Sequence, residues 1–96
     1  MRALDSATAL AALLAAQPRG GAFFDFVYVD GGHSSDVVLT DAVLAFRLLK
    51  HGGVIAFDDY GGGSAETKAG IDAFLKTHAS QLRVAHVSFI LIAVRN

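Results

Sequence analysis

Apolar and polar positions alternate in rhythm along this chain, and each change of rhythm marks an element. Residues 6–16 keep a helical spacing, with Leu10, Leu13 and Leu14 on one stripe and Ser6 placed to cap; Gln17-Pro18-Arg19-Gly20-Gly21 stops the run. Residues 23–29 are nearly continuously apolar, rich in aromatic and β-branched types and broken only by Asp25, which suits a strand buried on both faces of a parallel sheet. Asp30-Gly31-Gly32 turns the chain out of it. Ser34 or Ser35 then caps a second helix whose Val38, Ala42, Ala45, Phe46 and Leu49 recur at helical spacing, with Asp36 complementing the positive end of its dipole. Lys50-His51 sits at the helix end and Gly52 supplies a left-handed stop.

A strand over residues 53–58 follows, then a flexible loop at Gly61-Gly62-Gly63. A third helix is capped by Ser64, with Ile71, Phe74, Leu75 and His78 facing inward. Residues 82–87 and 89–94 read as an antiparallel strand pair. Strands alternating with helices of this length imply right-handed parallel crossovers, hence an α/β domain with parallel strands, a C-terminal antiparallel strand and helices on both faces.

Composition narrows the possibilities. A chain of 96 residues holds one small domain, and 53% apolar content with a net charge of −1 argues against disorder and against a broad basic surface for nucleic acid or acidic membranes. Cysteine is absent, so neither disulfides nor thiolate metal sites are available, which fits a reducing cytoplasm. No run reaches the roughly 18 apolar residues of a membrane span, because His86 and Ser88 interrupt the last one, so a soluble protein is expected. Met1-Arg2 ahead of an alanine-rich stretch faintly suggests a secretory leader, but Asp5, Ser6 and Thr8 make a better helix start than leader.

The candidate chemistry lies at two strand ends. Asp30 closes one strand, and Asp58-Asp59-Tyr60 closes the next. If these strands are parallel neighbours, the three carboxylates share the edge where open α/β sheets bind ligands. Anions gathered there call for a hard cation, a proton or a cationic substrate. The dull readings are an Asp-initiated turn at Asp30 and a solvated loop start at Asp58 and Asp59. Tyr60 is either a stacking platform or a packed ring with a wet hydroxyl. Asp41 reads as solvated or internally bonded, and His51, His78 and His86 as structural.

The two motifs Phe24-Asp25-Phe26-Val27-Tyr28-Val29-Asp30-Gly31-Gly32-His33 and Leu48-Leu49-Lys50-His51-Gly52-Gly53-Val54-Ile55-Ala56-Phe57-Asp58-Asp59-Tyr60 resemble class I S-adenosylmethionine-dependent methyltransferases, in the branch marked by Asp-Gly-x-His and Asp-Asp-Tyr. Leu4-Asp5-Ser6 is similar to the family's Gly-Asp-Ser segment, with leucine in place of glycine. The resemblance implies a Rossmann-like half-fold over residues 1–96, corresponding to strands four to seven of the family's seven-stranded sheet. It implies a small-molecule or sugar hydroxyl as methyl acceptor. It places cofactor contacts at Asp5, Ser6, Asp30 and Gly31, and a magnesium site at Asp30, Asp58 and Asp59. Some relatives carry a general-base aspartate where this chain has Gly32, which makes His33 the neighbouring candidate.

No glycine-rich cofactor loop precedes Asp5, and residues 61–63 follow too late a strand to replace it. The resemblance thus implies a truncated methyltransferase whose isolated chain is inactive. The alternative is a non-catalytic α/β remnant or pairing module; a phosphate-binding or receiver-like domain fits the motif pair less well. In the complete family fold the fourth strand pairs with the first, so an open edge at residues 23–29 and a homo-oligomer formed through it are expected.

Overall fold

Three parallel strands meet an antiparallel return in the computed structural model, which describes residues 2–4, 24–30 and 34–96. The elements are β1 (Arg2–Leu4), β2 (Phe24–Val29), α1 (Ser35–Leu48), β3 (Leu49–Phe57), α2 (Ala65–Thr77), a 3₁₀ turn (Ala79–Gln81), β4 (Leu82–Val87) and β5 (Leu91–Arg95). They form one sheet in the order β1-β2-β3-β5-β4, with β1, β2 and β3 parallel and β5 antiparallel to both β3 and β4. The mixed α/β half-fold is therefore present. The expected first helix, residues 6–16, lies outside the described residues.

Strand register sorts the core. Val27, Ile55 and Ala93 stand in one row across β2, β3 and β5, and Val29, Phe57 and Leu91 in the next. All six are buried, against Val38, Ala42, Ala45 and Phe46 of α1 and Ile71 and Phe74 of α2. Phe74 is the hub, with its ring 5.6 Å from Phe46 edge-on, 5.5 Å from Phe57 and 4.4 Å from the stacked imidazole of His78. The two described helices pack on each other over this single face. They cross at Gly70, where a Cβ would stand 2.7 Å from the Ser35 carbonyl oxygen and 2.8 Å from Val38 Cβ.

Three expectations need correction. Ser34 occupies the N-cap position of α1, yet its hydroxyl makes no capping bond; the Ser35 N–H instead donates to Glu66 Oε1 of α2 at 2.9 Å. A carboxylate from a neighbouring helix thus does the work of a local cap. Second, α1 ends at Leu48, before the sequence stop. Leu49 is already extended, paired with Phe24, and Gly52 (φ 81) turns an excursion at Lys50, His51 and Gly52 before pairing resumes at Phe26 and Val54. Arg95 secures this early stop, its Nη1 donating to the carbonyl oxygens of Phe46 (2.8 Å) and Leu49 (2.5 Å) while its guanidinium lies 4.6 Å over the Phe46 ring. Third, the β2 edge is not fully open. β1 pairs with it at Val27, Tyr28 and Val29.

Candidate active site

The parallel register of β2 and β3 builds the rim. Val29 pairs with Phe57, and the Asp58 N–H donates to the Val29 carbonyl at 3.0 Å, so Asp30 and Asp58 leave the sheet side by side at the carboxyl edge. Asp59 follows with φ 61, a left-handed conformation that aspartate tolerates better than most residues. This bend lets the Asp59 N–H donate to Asp58 Oδ1 at 2.9 Å, and the Asp59 carbonyl accept from the Gly63 N–H at 2.9 Å. Asp30 is exposed, while Asp58 and Asp59 are half-buried. The juxtaposition expected from the sequence is therefore present for all three acids. Asp5, Ser6, Gly31 and His33 lie outside the described residues.

Tyr28 is the site residue that sequence reasoning missed. It pairs with Ala56, two residues before Asp58, so strand alternation carries its side chain up the same face toward the Asp58 carboxylate. Burial, hydrogen bonding with Asp58 and the charges of Asp58, Asp30 and Asp59 push its phenol up to about 12. All three acids are thus felt by one hydroxyl. The available signal was a polar-tipped residue two positions before a strand-end acid, within a strand that is apolar apart from Asp25.

No basic side chain is ion-paired with Asp30, Asp58 or Asp59 among the described residues; the ion pairs there are Lys50–Asp25 and Lys68–Asp72. A rim with this donor set suits a neutral hydroxyl-bearing or cationic ligand and repels anions. Magnesium is a different matter. Among the described residues no group of three or more His, Asp or Glu side chains is gathered to hold a metal ion, and Asp58 is engaged with Tyr28 and the Asp59 amide. As placed, Asp58 is held by hydrogen bonds and the described acids are not gathered as a ligand set.

Tyr60 holds the loop from behind. Its ring packs against the core, as the packed reading expected, but its hydroxyl donates to Asp72 Oδ1 at 2.7 Å, and the ring is no free stacking platform. Lys68 Nζ donates to the other Asp72 oxygen at 2.9 Å and lies 5.0 Å from the Tyr60 ring centroid. Burial works to raise the Asp72 carboxyl, but the bonds from Lys68 and Tyr60 outweigh it and leave it lowered; the Asp72 hydrogen bond in turn raises Tyr60 and Lys68. His51 bonds the Asn96 carbonyl, His78 bonds the Phe74 carbonyl and His86 bonds Ser88, three separate structural positions. Asp41 is buried at 1% exposure, which rules out the solvated reading.

In open α/β sheets the carboxyl ends of the parallel strands are where ligands bind, and the acids of this chain stand there. A family model described as a methyltransferase domain matches residues 1–60, more than half of the 96 residues, and the chain belongs to this methyltransferase family. The match takes in β1, β2, α1 and β3 together with all three rim acids. No curated protein matches the chain.

Proposed function

We propose that this chain provides the acceptor side of an S-adenosylmethionine-dependent methyltransferase that methylates a hydroxyl oxygen of a small molecule or sugar. The observation that carries the reading is the Val29–Phe57 register, which sets Asp30 beside Asp58 and Asp59 on one sheet edge. The cofactor, when bound, offers a methyl group on a positively charged sulfur, and an acid rim without paired cations is complementary to that charge. The rim carboxylates would accept the acceptor's O–H and aim its oxygen. His33, three residues past Asp30, is the proposed proton acceptor, since imidazole titrates near neutrality. Asp5, Ser6 and Gly31 remain the proposed cofactor contacts. No loop of the G-x-G-x-x-G type occurs in the sequence.

Calorimetric titration of S-adenosylmethionine, with and without magnesium, tests the proposal. The chain alone is expected to bind more weakly than micromolar, and Asp58→Asn/Asp59→Asn, which suits the left-handed backbone at position 59, should abolish what binding there is. Saturable micromolar binding would show that the loop is dispensable. Binding unchanged in the double variant would remove the rim from the site and leave the non-catalytic module as the better account.

A further inference from the structure

Residues 61–63, expected to be a flexible tether, are a packed seat. A Cβ on Gly61 would stand 2.5 Å from the Ser88 carbonyl oxygen, and one on Gly62 would stand 2.5 and 2.6 Å from Cε2 and Cδ2 of Phe89. The Gly61 N–H donates to the Phe89 carbonyl at 3.3 Å. The turn carrying Phe89 is itself braced: the Ser88 N–H donates to the Ile90 carbonyl at 3.1 Å, and the Ser88 hydroxyl bonds His86 Nε2 at 2.8 Å. Despite these contacts Phe89 remains 52% exposed. One side of the ring is held on glycine backbone and the rest faces solvent.

Its place in the sheet gives this exposure a purpose. β5 runs antiparallel to β3 and Leu91 pairs with Phe57, so the β4–β5 turn lies at the same edge as Asp58 and Asp59. Along that edge the order is Asp30, the Asp58–Asp59 pair, then Phe89. Adjacent strands are about 4.8 Å apart, so the end of β2 and the head of β5 stand roughly 10 Å from each other. That span suits a molecule of one or two rings. An aromatic ring on the same edge as the acid rim sets apolar surface next to a few polar groups, the mix of contacts that small-molecule sites use.

We propose that Phe89, seated on the glycine run, is a specificity-determining residue that stacks on an aromatic ring of the methyl acceptor. This rests on the methyltransferase reading for its chemistry and narrows the acceptor to aromatic hydroxy compounds. Glycine at positions 61 and 62 is then required by the platform, because a side chain at 61 would press on the Ser88–Phe89 backbone and one at 62 would push the Phe89 ring off its seat.

The test is an NMR titration of the isotope-labelled chain with two probes: tyramine, which joins a phenol to an ammonium group, and n-butylamine, which lacks the ring. Tyramine is expected to shift the amides of Gly61, Gly62 and Phe89 as well as Asp58 and Asp59, whereas n-butylamine should shift only the acid side. Phe89→Ala should weaken tyramine about three- to tenfold, the range of one aromatic pair, and leave n-butylamine unchanged. Phe89→Trp should keep tyramine binding, which separates a lost ring from a disturbed turn. Equal tyramine affinity in Phe89→Ala, identical shifts from both probes, or no shift at residues 61, 62 and 89 would each overturn the inference. Cofactor plays no part in this titration, so ring-dependent tyramine binding by a chain that never transfers methyl would sink the enzymatic reading alone.

Discussion

Single side chains decide how much strain this small molecule carries. At Gly70 the helices approach so closely that a methyl group must displace the Ser35 carbonyl or Val38. Gly70→Ala gains roughly 1 kcal/mol in helix propensity but meets about 1–3 kcal/mol of overpacking, so a lower urea midpoint is expected. The tyrosines make a pH prediction. Tyr28 is raised to about 12 and Tyr60 is raised as well, whereas an unfolded phenol ionises near pH 10. A raised phenol favours the folded state fully below pH 10, and that contribution is lost as pH climbs through the folded value. Stability should therefore fall between about pH 10 and 12. Absorbance at alkaline pH should show Tyr28 titrating near 12, well above an ordinary phenol, and Asp58→Asn should bring it back toward the ordinary range. The rim acids were legible in the sequence because strand ends are marked by glycine and by loss of apolar rhythm. Tyr28 was not, since inside an apolar run a tyrosine reads as core until the register names its neighbour.

Helix starts show how local signals and tertiary contacts share the same task. Ser64 caps α2, its hydroxyl accepting from the Thr67 N–H at 3.2 Å, whereas Ser34 caps nothing and Glu66 reaches across to the Ser35 amide. Ser64→Ala should cost about 1 kcal/mol in chemical denaturation. Ser34→Ala should leave the midpoint in place, and Glu66→Ala should lower it. Both serines carry the same sequence signature, so only the packing of α2 against α1 tells them apart. The boundaries of α1, β3, α2, β4 and β5 were otherwise readable within a few residues, because each begins or ends at glycine, serine or a change of apolar period. β1 was missed, since three residues leave no period to detect.

At the scale of the whole molecule, the sheet edges are the surfaces open to strand addition. β1 occupies the β2 edge at Val27, Tyr28 and Val29, so the expected pairing surface shrinks to the first half of β2. At the far edge β4 is interrupted by a register shift between Val84 and His86, a device that discourages further strand addition. Light scattering is expected to show self-association that rises sharply when residues 1–4 are deleted and the full β2 edge is bared. An unchanged mass after deletion would take β2 out of any homo-oligomer.

The grip of Arg95 on the carbonyls at the end of α1 spans sequence separations of 49 and 46 residues. On a ribosome, that helix would emerge long before its stopper does, leaving its final carbonyls to water while β3, α2 and β4 are still being made. Native closure of α1 must then be a late event, set by when the tail strand arrives and not by the helix's own residues.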